Sequence, residues 1–253
     1  MKENRLWYPV PANDWNEALP LGNGILGMMV FGGVKEERIQ LNEETFWSGW
    51  EFPEYDSPKT FEHLDEIRQL LFAGKYSEAQ ELTDKYHVCR GQGHHDSESA
   101  YGSYQTAGDL YISMPDAEEG DYRRELILDE GCAEVKCGQG RREFFVSPAY
   151  NTAVVRICGW QEGMSFRYER KNTAIIYDDT EIIAVAYLPT KVAVRIRHEL
   201  RDGDMYFYIT AATAYKTDLD PVTVCRETLD KAVAAGYDAL REDTKNYFAS
   251  MLG

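Results

Sequence analysis

Short apolar and aromatic runs, each ended by turn residues, dominate this chain and limit what it can become. Gly24–Phe31 is a compact run bounded by glycines, and Glu37–Phe46 alternates with Ile39 and Leu41 on one face. Asp109–Ser113, Tyr122–Leu128, Ala133–Cys137, Arg142–Val146, Ala153–Cys158, Ser165–Arg170, Glu181–Tyr187, Ala193–His198 and Met205–Ala211 follow, separated by Gly, Asp, Asn or Pro. Runs of this length and composition read as strands. Their regular spacing predicts a mainly β protein, a large antiparallel β-sandwich rather than a parallel α/β sheet. Gly138-Gln139-Gly140 and Asp202-Gly203-Asp204 are expected hairpin turns, because glycine accepts the positive φ that tight turns require.

Helical segments interrupt the strands. Ser57-Pro58 reads as an N-cap followed by proline at the first helical position. Leu64, Ile67 and Leu71 then share a face, Gly74 breaks the helix, and Tyr76, Ala79, Leu82 and Tyr86 form a second stripe. The expectation is an inserted helical hairpin over about 57–88. Asp220-Pro221 repeats the start signal, and Cys225, Leu229, Val233, Leu240, Tyr247 and Met251 carry helical periodicity toward Met251.

Charge and cysteine usage exclude several functions. The 27 basic and 43 acidic residues leave a formal charge of −16, a field that repels phosphate backbones and anionic headgroups. Nucleic acid and membrane are therefore not expected partners. Aromatic residues make up 13% of the chain, which argues against disorder, and no run approaches ~20 apolar residues. Met1 to Arg5 leads straight into Leu6-Trp7-Tyr8 without an apolar leader, so the expected localisation is cytoplasmic. Cys89, Cys132, Cys137, Cys158 and Cys225 form no CxxC pair and read as reduced thiols, with Cys132 and Cys137 facing each other across a hairpin.

The richest local chemistry lies in the amino-terminal part. Leu21-Gly22-Asn23-Gly24 is a glycine-framed turn that permits close backbone approach, and it lacks the Lys-Ser/Thr ending of a phosphate loop. Asn42-Glu43-Glu44-Thr45-Phe46-Trp47 sets amide, carboxylates and indole at a strand end, a mixture suited to sugar hydroxyls and to the C–H face of a ring. Glu43 and Glu44 are neighbours, so on a strand they point to opposite faces and cannot form a facing acid/base pair. His94-His95-Asp96, near His87 and Cys89, sits on a glycine-flanked loop without the convergence a tetrahedral ion needs, so neither a metal nor another cofactor is expected.

Five segments in order, WNEALPLGNG from Trp15, FGG from Phe31, ERIQLNEETFWSG from Glu37, EIRQLLFAGKYSEAQEL from Glu66 and SYQTAGDL from Ser103, resemble the amino-terminal domain of glycoside hydrolase family 95, the α-L-fucosidase family. The resemblance implies a β-supersandwich of galactose-mutarotase type over 1–215 and a helical linker over 216–253 leading to an (α/α)6 barrel. That barrel carries the acid and base of an inverting mechanism, so no catalytic residue is expected in these 253 residues. It also implies that the barrel of the same polypeptide is the partner and a fucosylated or galactosylated glycan the ligand. Asn42, Glu43, Trp47, Trp15, Asn23 and Tyr104 are the candidates for the sugar pocket or the barrel interface. The alternative is a stand-alone carbohydrate-binding β-sandwich. A hydrolase using Glu43 or Asp109 on its own is disfavoured by the absence of an opposed carboxylate pair.

Overall fold

A computed structural model describes residues 4–49, 59–87, 103–117, 120–188 and 190–252. Ser57, Pro58, Cys89 and the His94-His95-Asp96 loop lie outside the described residues. The chain divides into two compact units, one of Met1–Phe46 with Gln105–Gly253 and the other of Trp47–Tyr104.

The strands in chain order are β1 (Arg5–Tyr8), β2 (Leu19–Gly22), β3 (Leu26–Val30), β4 (Glu36–Glu43), β5 (Gly108–Ser113), β6 (Tyr122–Ile127) and β7 (Cys132–Cys137). They continue as β8 (Gly140–Ser147), β9 (Thr152–Ile157), β10 (Ser165–Glu169), β11 (Ala174–Tyr177), β12 (Glu181–Tyr187), β13 (Lys191–Arg201) and β14 (Asp204–Thr213). The helices are α1 (Leu64–Phe72), α2 (Tyr76–Tyr86), α3 (Pro221–Ala235) and α4 (Tyr237–Leu252). The expected mainly β sandwich is observed. A nine-stranded sheet in the order β1-β6-β7-β8-β9-β14-β13-β12-β11 faces a five-stranded sheet in the order β10-β5-β4-β3-β2. Every assigned pair is antiparallel.

Alternation explains how the sheets meet. On β4 the side chains of Glu37, Ile39, Leu41 and Glu43 are buried while their neighbours are more open. Ile39 and Leu41 join Met28, Leu110, Phe144, Val155 and Phe207 in the core between the sheets. The other face of β14 is buried too, since Tyr206 and Tyr208 lie with Phe145 and Val154 under Leu229, Ala232 and Leu240 of α3 and α4. Asp220 caps α3 by accepting from the Val222 N–H at 2.9 Å, with Pro221 in the first turn. The periodicity of the tail does not run on unbroken. Gly236 at φ 81° ends α3, and a new helix starts at Tyr237.

Both expected hairpins form. Gly138 at φ 55° opens the turn that brings Cys137 opposite Gly140. Asp202 and Gly203, at φ 54° and 83°, give the mirror-image turn whose twist suits β13 and β14. Cys132 and Cys137, by contrast, do not face each other across a hairpin. They are the two ends of β7, five positions apart and so on opposite faces. Strand β4 stops at Glu43 instead of reaching Phe46, because the Glu43 carboxylate accepts from the Thr45 N–H at 2.7 Å and folds the chain into a turn.

Within the other unit, α1 and α2 form a helical hairpin around Gly74 at φ 75°. Ile67 and Ala79 are its buried residues, and His63 stacks on Tyr86 at 3.6 Å between ring centroids. Among the described residues no helix is long and apolar enough to cross a membrane.

Candidate functional site

The glycine-framed turn joins β2 to β3, and Asn23 organises it from within. Its Oδ1 accepts from Ile25 N at 3.0 Å and Leu26 N at 2.8 Å. Its Nδ2 donates to Asn151 Oδ1 at 2.9 Å and Ser147 O at 3.3 Å, in the turn between β8 and β9. Ser147 in turn donates to Asp243 of α4 at 2.7 Å. Both ends of the Asn23 amide are therefore occupied by the fold. Asn42 differs. It sits half-buried opposite Gly27, on the outward face of β4, and its amide makes no hydrogen bond among the described residues.

Glu43 enters the same end of the sandwich from the core side. It is 3% exposed, whereas Glu44 stands open and pairs with Lys216, so the two carboxylates do point apart. Glu43 Oε2 also accepts from Thr45 Oγ1 at 2.7 Å, and that hydroxyl lies 2.6 Å from Thr213 Oγ1 at the end of β14. Burial pushes the Glu43 pKa up, and the two Thr45 hydrogen bonds and Lys216 oppose that only in part. Glu43 is thus a clamp between the two sheets. A raised native pKa means that its contribution to stability is complete below the unfolded value near 4.5 and is lost as pH rises through the native value. Glu43→Gln should therefore gain on the wild type as pH increases from 4.5 to neutrality in urea denaturation. A constant difference between the two would refute the desolvation argument.

The aromatic candidates are not buried anchors. Trp15 lies on a short 3-10 turn capped by Asp14 and is 52% exposed. In the smaller unit, Trp47 and Tyr104 form an isolated bridge with their rings edge to face at 5.6 Å, and Trp47 is 47% exposed. Ser48 N donates to Ser103 O at 2.9 Å beside them. Asn23 and Glu43 thus belong to the strand ends of the sandwich, while Trp47 and Tyr104 pair within the unit of Trp47–Tyr104.

One set of polar residues escaped the sequence reading. Arg142 Nη1 donates to Glu37 Oε2 at 2.7 Å and Gly33 O at 2.6 Å, deep between the sheets. Glu37 Oε1 accepts from Gly32 N at 2.7 Å, and Tyr122 donates to Gly32 O at 2.6 Å. Burial raises the Glu37 pKa against the pull of Arg142. A signal was present, because Glu37 shares the core phase of Ile39 and Leu41. The FGG segment is therefore a support for a buried ion pair, and Gly32 at φ 74° has no room for a Cβ beside the Tyr122 hydroxyl.

Residues 6–200 match a family model described as Glycosyl hydrolase family 65, N-terminal domain. The chain belongs to that family. As a glycosyl hydrolase N-terminal domain it has relatives among named fucosidases. It is 31% identical over 172 residues to Alpha-L-fucosidase 2 of Arabidopsis thaliana, covering 64% of this chain and 19% of the plant protein. It is 31% identical over 166 residues to Probable alpha-fucosidase A of Aspergillus niger, covering 60% of this chain and 19% of that protein. A protein of the same name from Aspergillus oryzae is 27% identical over 159 residues, 61% of this chain and 21% of its own length. This glycosyl hydrolase N-terminal domain thus spans about a fifth of the relatives it matches. Among its described residues no group of three or more His, Cys, Asp or Glu could hold a metal ion.

Proposed function

We propose that this chain is the non-catalytic amino-terminal domain of a longer, family-95-like α-L-fucosidase, cytoplasmic and inverting, whose acid and base reside in an (α/α)6 barrel. The sandwich braces that barrel, the helices over 216–253 lead toward it, and Asn42, Trp47 and Tyr104 contribute to the wall of its sugar pocket. The observation that carries this reading is the fate of Glu43. The one carboxyl of the motif that is buried is held by Thr45 and faces a threonine hydroxyl, while its neighbour Glu44 turns away toward Lys216. Glycoside hydrolysis needs two carboxyls roughly 5–9.5 Å apart across the scissile bond, and the motif does not supply them. The unspent amide of Asn42 supports its assignment to the pocket wall, whereas Asn23 is consumed by its turn.

The purified chain should leave an aryl α-L-fucoside intact, and co-expression with the barrel of a fucosidase relative should restore turnover. Asn42→Ala or Trp47→Ala should then lower kcat/KM of the restored enzyme; unchanged values for both would remove them from the pocket wall. Turnover by the isolated chain, lost in Glu43→Gln, would overturn the whole reading. The exposed Trp47 and Tyr104 pair favours a second reading, a stand-alone carbohydrate-binding domain. That reading requires a calorimetric signal with fucosylated or galactosylated oligosaccharide in the absence of any barrel.

A further inference from the structure

Strands β8 and β9 run between two ends of the sandwich. Asn23 is bonded at one end, beside Ser147 and Asn151. The other end, five residues or about 16 Å along the strands, opens into a cavity of about 300 Å³. Its walls come from the segment after β5, the β7–β8 hairpin and the segment after β9. We propose that this cavity is a second binding site, for one neutral hydroxylated ring of monosaccharide size.

Three observations carry the assignment. Arg142 lines the cavity although its side chain is only 5% exposed. Its Nη1 serves Gly33 and Glu37, while Nε and Nη2 make no hydrogen bond among the described residues and are not among the fully buried atoms, so this edge is open to a ligand at the cavity. An open guanidinium edge offers N–H donors to an acceptor. Arg142 is matched by Glu37 at 2.7 Å and Arg141, which also lines the cavity, by Glu134 and Glu143 at 2.8 Å. Asp116 lies among the same lining residues, so no cationic charge is left over for an anion and a hydroxyl or ring oxygen is preferred. Asp116 and Gln161 supply the complementary acceptor and amide, and Met114, Met164 and Ile157 offer an apolar wall to a C–H face. The volume stands at the lower limit of ligand pockets, room for a single ring and not for an oligosaccharide.

The test uses the whole chain labelled at its methionine methyls, titrated in turn with L-fucose, D-galactose, acetate and inorganic phosphate. Met114 and Met164 should shift with a saturable, millimolar dependence on at least one sugar, while Met28 and Met251 stay fixed. Ala117→Phe, which intrudes on the cavity, should weaken binding about tenfold, and Gln161→Ala, at an exposed position, about threefold. The second variant keeps the test decisive should the first not fold. Shifts with acetate or phosphate in place of sugar would overturn the neutral class. Absence of shifts with both sugars, or sugar shifts that ignore Gln161→Ala and a folded Ala117→Phe, would overturn the site. No barrel is needed in this experiment, so its outcome is independent of the hydrolysis assay.

Discussion

Arg142→Met should destabilise the fold by about 3–5 kcal/mol, the usual cost of stranding one partner of a buried ion pair. The magnitude follows from what is left behind. Glu37 is fully buried, Arg142 Nη1 is its cationic partner at 2.7 Å, and the same nitrogen holds Gly33 O at 2.6 Å. Removing the guanidinium leaves a carboxylate in the core and a carbonyl without its donor, in a segment where Gly32 is also held by Tyr122. The Glu37 pKa, already raised by burial, must rise further. A folded-state value above the unfolded one makes the stabilising contribution largest in acid and erodes it as pH rises. The deficit of Arg142→Met should accordingly be smallest near pH 4.5 and widen toward neutrality. Glu37→Leu combined with Arg142→Met should recover most of the loss, since an apolar pair strands no charge. Urea denaturation of the three variants measures all of this. A single-variant loss below about 1 kcal/mol would mean that water reaches Glu37 and that the pair is not structural.

Gly108→Ala should cost about 2–5 kcal/mol, combining a left-handed backbone penalty of about 1–2 with an overpacking penalty of about 1–3. Gly108 starts β5 at φ 101°, and a Cβ there would collide with the ring of Tyr168. Tyr168 has no easy retreat, because its hydroxyl donates to the Ala107 carbonyl from within the core. Gly24 supplies the control. Its φ is 92°, but a Cβ there meets nothing within 4 Å. Gly24→Ala should therefore show the backbone part alone, about 1–2 kcal/mol. Equal losses for the two variants in thermal or urea unfolding would show that the Tyr168 ring yields freely.

The strands visible in the sequence are those whose residues alternate under burial. Three were not foreseen, β1, β2 and β11, and each is a sheet edge. An edge strand faces solvent along one side and so need not carry the pattern of a strand in the middle. β1 and β11 have no fully buried side chain, and β2 contains Pro20, which an edge tolerates because no ladder bond is lost there. The break at Gly236 was hidden for another reason. The apolar stripe continues on both sides of it, and only the positive φ of the glycine reveals that the helix has turned.

The same contrast runs through the candidate site. Residue types suited to sugar recognition were legible at Asn23, Asn42 and Glu43, but their use was not. Asn23 and Asn42 are chemically identical, yet the first is bonded at both ends of its amide, its Oδ1 by its own turn and its Nδ2 by residues more than a hundred positions away, and the second has no such bond among the described residues. Arg142 and Glu37 were passed over because charged residues are rarely expected in a core. The spacing of Glu37 from Ile39 was nonetheless the available clue.

The helices α3 and α4 are fastened to the large sheet by more than apolar cover. Asp243 accepts from Ser147 Oγ and from Ala149 N, Arg241 is paired with Glu130, and the Phe248 ring occupies the space that a side chain at Gly131 would need. A gene rearrangement that grafts this sandwich onto another polypeptide would thus keep its large sheet covered only by carrying both helices along. A crossover placed straight after β14 would strip Tyr206, Tyr208 and Phe145 of their lid, and the orphaned face would invite aggregation. A seam that preserves this cover must therefore fall on the far side of α4.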